Sequence, residues 1–196
     1  MFDILRSVLN TLAVGFDLPI LDWIAANLRC TLLDTLMPLL TRLGDGGMIW
    51  ILIAAVLLCS KKYRRTGLAI GFALLMGLMV CNLILKPAVA RMRPFDFRQE
   101  YFGVTIQLLI APPQDFSFPS GHTIASFEGA TVLMLRSKKY GIPALLLACI
   151  IAFSRLYLYV HYPSDVITSL VLGILFGIVG YHLAQKVPST GSLLAE

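Results

Sequence analysis

Long apolar runs separated by short polar segments dominate the chain. Residues 66–85 carry no charged side chain, and about 20 apolar residues span a ~30 Å hydrocarbon layer as a helix. Comparable runs cover residues 120–135, 142–160 and 166–185, and a shorter one covers residues 47–59. Charge or proline bounds each run. The pattern predicts five membrane-spanning helices.

The N-terminal segment, residues 1–46, is less regular. Asp17 and Asp22 are among the charges that interrupt every window long enough to cross a bilayer,. Apolar residues recur at helical spacing between residues 18 and 43, which favours two short amphipathic helices at the interface, or one weak span. We therefore expect an all-α fold, a polytopic membrane bundle of about six helices.

Composition narrows the class of protein. With 58% hydrophobic and 14% charged residues and a mean hydropathy of +0.81, the sequence is typical of an integral membrane protein,. Its 196 residues predict a single domain, 1–196, with the helical core in 47–186,. The net charge of +5 lies in short loops and matches no nucleic-acid-binding motif,. We expect the bilayer and a lipid phosphate as partners and no nucleic acid. An oligomer is compatible with the sequence but is not indicated by it.

Basic loops predict the orientation. One cluster occupies residues 61–65 and another residues 136–139, and such clusters face the cytoplasm, as we expect for the C-terminus. The polar segments 86–119 and 155–165 then lie on the extracytoplasmic face. Cations on the extracytoplasmic face depart from the usual distribution of positive charge. Binding of a phosphoester at the headgroup level would explain them, and simple anchoring to lipid headgroups is the alternative.

Three polar blocks interrupt the apolar pattern, and the first contains Lys86 and Arg93. Cleavage of a phosphate ester needs cations for the equatorial oxygens, a nucleophile, and an acid for the leaving oxygen. Pro87 disfavours helical geometry in the residue before it, so we expect the helix to end at Lys86 and an ordered loop to hold Arg93.

The second block is Pro119-Ser120-Gly121-His122. Ser120 is suited to cap a helix, Gly121 allows close approach of the backbone, and free amides there would bind an anion. His122 on the same turn would reach a leaving oxygen. Turn chemistry alone would also account for this block.

The third block contains Arg155, His161 and Asp165. A carboxylate bonded to one ring nitrogen of His161 would fix the tautomer and strengthen the other nitrogen as a nucleophile. Arg155 would grip a phosphate through two donors. A capped corner with an interfacial histidine is the structural alternative. The tyrosines of this region, Tyr157 and Tyr159 among them, are interpreted as an interfacial belt.

Together, Lys86-x6-Arg93-Pro94, Pro119-Ser120-Gly121-His122 and Ser154-Arg155-x5-His161-x3-Asp165 resemble the signature of the type-2 phosphatidic-acid phosphatase superfamily. The resemblance implies that His161 is a nucleophile forming a phosphohistidine, Asp165 its orienting partner and His122 the acid. It implies phosphate binding by five residues: Lys86, Arg93, Ser120, Gly121 and Arg155. Neither a metal nor another cofactor is implied.

The expected activity is hydrolysis of a lipid phosphate or diphosphate at the extracytoplasmic face of a bacterial membrane. Undecaprenyl diphosphate ranks first by analogy with small members of the superfamily. Phosphatidylglycerophosphate or phosphatidate follows, and a lipid phosphotransferase is third. A protein that binds or moves lipid phosphates without cleaving them is the alternative of another class. The two histidines argue against it, because binding needs no nucleophile opposite an acid.

Two polar residues lie inside apolar runs near the blocks. Glu128 should lie about 9 Å below His122, either protonated or paired with a donor such as Asn82. Asn82, one turn before Lys86, could position that helix end. We expect Glu128 and Asn82 either to have purely structural roles or to contact the residues of the site from behind. Gly173 and Gly177 form a small-residue face suited to close helix packing within the chain.

Overall fold

The computed structural model describes residues 2–188, and within them the chain forms ten α-helices and no β-strand. The helices are α1 Phe2–Leu12, α2 Leu18–Asn27, α3 Thr31–Arg42, α4 Met48–Cys59, α5 Arg64–Met76, α6 Lys86–Val89, α7 Pro94–Phe102, α8 Gly121–Arg136, α9 Lys138–Tyr157 and α10 Pro163–Lys186. Two π-helical segments, Ala13–Asp17 and Gly77–Leu85, join α1 to α2 and α5 to α6. The all-α prediction is confirmed.

Four helical stretches of the described chain are long and apolar enough to cross a membrane, and α3 with α4 forms a fifth if the pair, bent by 44°, counts as one span. The four are Ile4–Asn27, Arg64–Phe102, Lys138–Tyr157 and Pro163–Lys186. The predicted runs 66–85 and 166–185 fall within two of them, and the run 142–160 overlaps Lys138–Tyr157 but extends three residues beyond it. The run 120–135 corresponds to α8, which has only 16 residues.

The short helix α8 lies at the centre of the bundle, packed against α5, α9 and α10. Gly173 and Gly177 of α10 allow the closest approach. A methyl group on Gly173 would come within 2.8 Å of the carbonyl oxygen of Ile124, and one on Gly177 within 2.7 Å of Cβ of Thr131. The predicted small-residue face thus packs within the chain.

Of the two alternatives for the N-terminal segment, a span is favoured, because the stretch Ile4–Asn27 is long and apolar enough to cross a membrane. Asp17 is fully buried and pairs with Arg91, so its charge does not face lipid. The interpretation of the tyrosines as an interfacial aromatic belt was wrong. Tyr157 and Tyr159 are buried and donate hydrogen bonds to Asp34 and Asp22, at 2.6 and 2.7 Å. The N-terminal carboxylates therefore attach the first helices to the core.

The helix containing Lys86 ends three residues later than predicted. It continues to Val89, the last residue of α6, and Ala90 follows with a left-handed φ of 48°. Pro87 is accommodated because the π-helical segment Gly77–Leu85 precedes it, and the wider turn shifts the carbonyl that proline would otherwise oppose,. Arg93 lies in extended backbone just before α7, in the ordered loop that was predicted.

The bundle has a polar end and a basic end. The start of α8, the end of α9 and the start of α10 lie at the polar end. At the other end of α8, the two basic loops lie together: the rings of Tyr63 and Tyr140 are 6.4 Å apart, and Arg136 lies over Tyr63. The end of α10 joins them, since Arg65 donates to the carbonyl of Val187. The tail beyond residue 188 lies outside the described residues.

Gly173→Ala should destabilise the bundle by about 1–3 kcal/mol, since the added methyl group would press on backbone that cannot yield,. The measurement is thermal unfolding in detergent. Gly71→Ala is the matched control, because a methyl group there meets no atom within 4 Å and alanine favours the helix. Equal melting temperatures for the two variants would contradict the close α8–α10 contact.

Candidate active site

The three polar blocks meet at the polar end of the bundle. Nη1 of Arg93 lies 3.3 Å from Nε2 of His161, although 68 positions separate the two residues. The same nitrogen donates to the carbonyl of Val160 at 2.6 Å. The sharp turn after α9, with Tyr159 at a φ of 61°, directs the backbone toward His161. The predicted convergence of distant segments is therefore present in the fold.

His161 lies in the turn between α9 and α10 with 1% of its surface exposed. Burial lowers the pKa of His161 well below its usual range, and the nearby charges of Arg93 and Arg155 lower it further,. The imidazole is therefore neutral at neutral pH, as a nitrogen nucleophile must be.

Asp165 lies on the other side of the ring. Its Oδ2 is 3.5 Å from Nδ1 of His161, within range for an electrostatic contact, yet Nδ1 makes no hydrogen bond. The contact between Asp165 and His161 is therefore electrostatic and is not a hydrogen bond. Oδ2 instead accepts from the hydroxyl of Ser117 at 2.5 Å and from the backbone amide of Tyr162 at 3.1 Å. The carboxylate is held firmly beside the ring.

Arg91, which the motif analysis missed, holds Asp165 from behind. Its guanidinium is fully buried, donates to Oδ1 of Asp165, and donates at 2.8 Å each to Ser164, to Asp17 and to the carbonyl of Leu9. It also stacks over the ring of Tyr162 at 3.7 Å,. Two features of the sequence could have indicated this contact. Arg91 lies two residues before Arg93, and Asp17 is an isolated acid in an apolar segment.

Arg155 enters the site from the last turn of α9. It is 3% exposed, and its Nη1 donates to the hydroxyl of Thr41 at 2.6 Å, while its Nε has no hydrogen-bond partner among residues 2–188. A buried guanidinium with an unused donor is suited to bind an anion.

The second block begins α8, but its hydrogen bonds differ from those predicted. The Ser120 hydroxyl accepts from Thr123 at 3.0 Å and makes no capping bond, and the Ser120 amide donates to Ser169 at 2.8 Å. That amide is therefore not available to an anion. The amides of Gly121 and His122 lie in the first turn, where helices leave donors without intrahelical partners.

Asn82 and Glu128 do not form the predicted pair. Asn82 approaches Gly121, whose added methyl group would lie 3.2 Å from Oδ1 of Asn82. Glu128 is buried against Gly77 of the π-helical segment, and its Oε1 has no hydrogen-bond partner. The missing side chain of Gly77 provides the space for this carboxyl group, because a methyl group at that position would collide with Oε1 of Glu128.

Asp115 lies between the two cations of the first block, a position the sequence analysis did not anticipate. Its carboxylate is 2.5 Å from Nζ of Lys86 and 2.6 Å from Nη2 of Arg93. Partial burial would raise the pKa of Asp115, but the hydrogen bonds and charges of Lys86 and Arg93 outweigh it and hold that pKa well below its usual range,. The carboxylate occupies a place where a phosphate would meet both cations.

Asp45 is a second missed carboxylate. Its Oδ1 lies 2.8 Å from Nε2 of His122. Asp45 belongs to the turn between α3 and α4, in the N-terminal half of the chain, where no motif pointed to the site.

A cavity of about 1180 Å³ opens at this cluster and continues between α4 and α5. Its polar part is lined by Lys86, Arg93, His122, Arg155 and His161. Apolar side chains of α4 and α5 line the continuation: Ile51, Ala54, Leu58, Leu74 and Leu75. The cavity therefore offers one polar and one apolar compartment to the same ligand.

The fold and this cluster define a helical membrane phosphatase. A family model described as the PAP2 superfamily matches residues 66–189. The chain belongs to that superfamily, which confirms the resemblance drawn from the three blocks, and it is an integral membrane protein.

Relatives span nearly the whole chain. An undecaprenyl-diphosphatase of Sulfolobus acidocaldarius is 32% identical over 181 residues, which cover 92% of this chain and 82% of the relative. Phosphatidylglycerophosphatase B of Bacillus subtilis is 29% identical, covering 95% and 92%. The crystal structure of LpxE from Aquifex aeolicus superposes with a TM-score of 0.73 at 26% identity, covering 86% of this chain and 96% of that one.

Asp115→Asn should strengthen inhibition by inorganic phosphate about fivefold, because the two cations lose a competing, partly exposed carboxylate worth about 1 kcal/mol. The measurement is the inhibition constant of phosphate at fixed pH and salt. Glu100→Gln, which removes an exposed carboxylate of α7, is the control. Weaker inhibition in Asp115→Asn would mean that Asp115 is needed to position Lys86 and Arg93.

Proposed function

We propose that the protein hydrolyses a lipid phosphate or diphosphate at the extracytoplasmic face through a phosphohistidine on His161. One observation carries the proposal: the neutral His161 contacts Arg93 and faces the cavity that also contains His122 and an apolar compartment. A lipid phosphate has the same division into an anionic head and a hydrocarbon tail.

In the first step, Nε2 of His161 attacks phosphorus and the bond to the leaving oxygen breaks. His122 donates a proton to that oxygen, while Lys86, Arg93 and Arg155 neutralise the equatorial oxygens. Asp165 stabilises the charge that develops on the His161 ring. In the second step, water gives a proton to His122, attacks phosphorus and releases phosphate from His161.

The extracytoplasmic location is supported by the distribution of charge. The basic loops 61–65 and 136–139 lie at the end opposite to the site, and basic loops favour the cytoplasmic side,. The cations at the polar end are instead paired with carboxylates or directed at the cavity.

Undecaprenyl diphosphate is the substrate we rank first. It is the substrate named for a relative that covers most of the chain, and the apolar compartment is lined by small and aliphatic side chains. Phosphatidylglycerophosphate or phosphatidate is the alternative, supported by the relative from Bacillus subtilis.

Phosphate release from purified protein in detergent should separate these substrates. The panel comprises undecaprenyl diphosphate, phosphatidylglycerophosphate and phosphatidate, with His161→Ala as the blank. We expect His161→Ala to bind lipid but to release no phosphate, and wild-type protein to incorporate label from a ³²P-substrate into an acid-labile adduct. Full release by a folded His161→Ala protein would exclude the phosphohistidine, and binding without release by wild type would favour a lipid carrier.

The pH dependence of kcat/KM should be bell-shaped. Because the pKa of His161 is lowered from 6.5, the neutral nucleophile persists into acid, and the acidic limb should lie below pH 6.5. Burial and the charges of Arg155 and Lys86 lower the pKa of His122 as well, so the basic limb, which follows loss of the His122 proton, should also lie below pH 6.5. An acidic limb above pH 6.5, or a flat profile, would contradict these roles.

A further inference from the structure

We infer that Asp45 is a positioning residue: by accepting the Nε2–H of His122 it favours the protonated ring and leaves the proton on Nδ1 for the leaving oxygen. This inference rests on the proposed function, in which His122 is the acid. It assigns a task to the loop between α3 and α4, which contains none of the three motif blocks.

The contact is direct. Oδ1 of Asp45 lies 2.8 Å from Nε2 of His122, across 77 positions of sequence. The carboxylate remains half exposed toward the cavity, and it makes no other side-chain hydrogen bond within residues 4–188. A carboxylate serving only the fold would more commonly bond backbone amides or be fully buried.

The loop is built around the His122 ring. A methyl group on Gly44 would lie 2.8 Å from Cδ2 of His122, so only glycine allows the backbone to lie against the ring. Gly46 and Gly47 have φ values of 57° and 70°, which bend the chain directly into α4,. Asp45 is the one side chain in this Gly-Asp-Gly-Gly turn, and it is placed on the ring nitrogen.

The surroundings of His122 make a carboxylate necessary. Lys86 from α6 and Arg155 from α9 act on the ring as positive charges, and the His161 imidazole from the α9–α10 turn lies in the same cluster. These cations oppose a protonated imidazole. Burial of the ring opposes the protonated form too, and Asp45 is the carboxylate in hydrogen-bond contact that offsets these effects in part, so without it His122 would lose its proton more readily.

The contribution should depend on the leaving group. When His161 attacks, an alcohol oxygen departing from a monoester must receive the electron pair of the broken bond and a proton from His122. A phosphate departing from a diphosphate is less basic, and p-nitrophenolate departs without a proton. Asp45 remains a carboxylate throughout, and the proton returns to His122 from the attacking water.

The kinetic experiment compares Asp45→Asn with wild type and with Glu100→Gln on phosphatidate and on p-nitrophenyl phosphate. We expect kcat for phosphatidate to fall about 10- to 100-fold in Asp45→Asn with little change in KM. The kcat for p-nitrophenyl phosphate should change less than about threefold. The basic limb of the pH profile should move to lower pH, and adding Asp45→Asn to His122→Asn should cost nothing further.

Equal losses on both substrates, or a rise in KM alone, would mean that Asp45 only supports the loop, and the inference would be wrong. Unchanged kinetics would also overturn it. Wild-type protein that is inactive on undecaprenyl diphosphate, phosphatidylglycerophosphate and phosphatidate alike would instead refute the proposed function. A second measurement is independent of turnover: the chain has three histidines, and ¹⁵N NMR titration of His122 should show a lower pKa in Asp45→Asn. An unchanged titration would reject the inference even if kinetics were ambiguous.

Discussion

The buried guanidinium of Arg91 connects the membrane architecture to the site. It pairs with Asp17 of the first helical stretch and with Asp165 of α10, and all three charged groups are withdrawn from solvent. Buried charges are costly unless paired, so removing one partner would leave the others uncompensated. The position of Asp165 beside His161 therefore depends on docking of an N-terminal helix that contributes no residue to the motifs.

Charge compensation also shapes the site itself. Lys86 and Arg93 are neutralised by Asp115, and His122 is paired with Asp45. Both carboxylates come from loops and are about half exposed, whereas the cations and histidines are mostly buried. A site prepared for a multiply charged anion thus contains weaker internal anions that hold the donors in place until the substrate arrives.

The parts of this site that could be predicted are those announced by local sequence. Lys86, His122 and His161 lie near prolines or glycines at the ends of apolar runs, where a polar residue needs an explanation. Their partners lack such signals. Asp45 and Arg91 reach their contacts across 77 and 74 positions, and only the packing of the bundle brings them together. The N-terminal span remained one of two alternatives for the same reason, since Asp17 counts against a span until its buried partner Arg91 is known.

The length of α8 has a consequence for depth in the bilayer. Its 16 residues span about 24 Å, against a hydrocarbon thickness of about 30 Å,. If Arg136 lies at one edge of the hydrocarbon, His122 lies about 21 Å from it along the helix and about 9 Å short of the other edge,. Lipid headgroups must sink, or the leaflet must thin around the protein, for a phosphate to reach that histidine. Membrane thickness thereby becomes a determinant of access, and short-chain bilayers should favour engagement of the substrate.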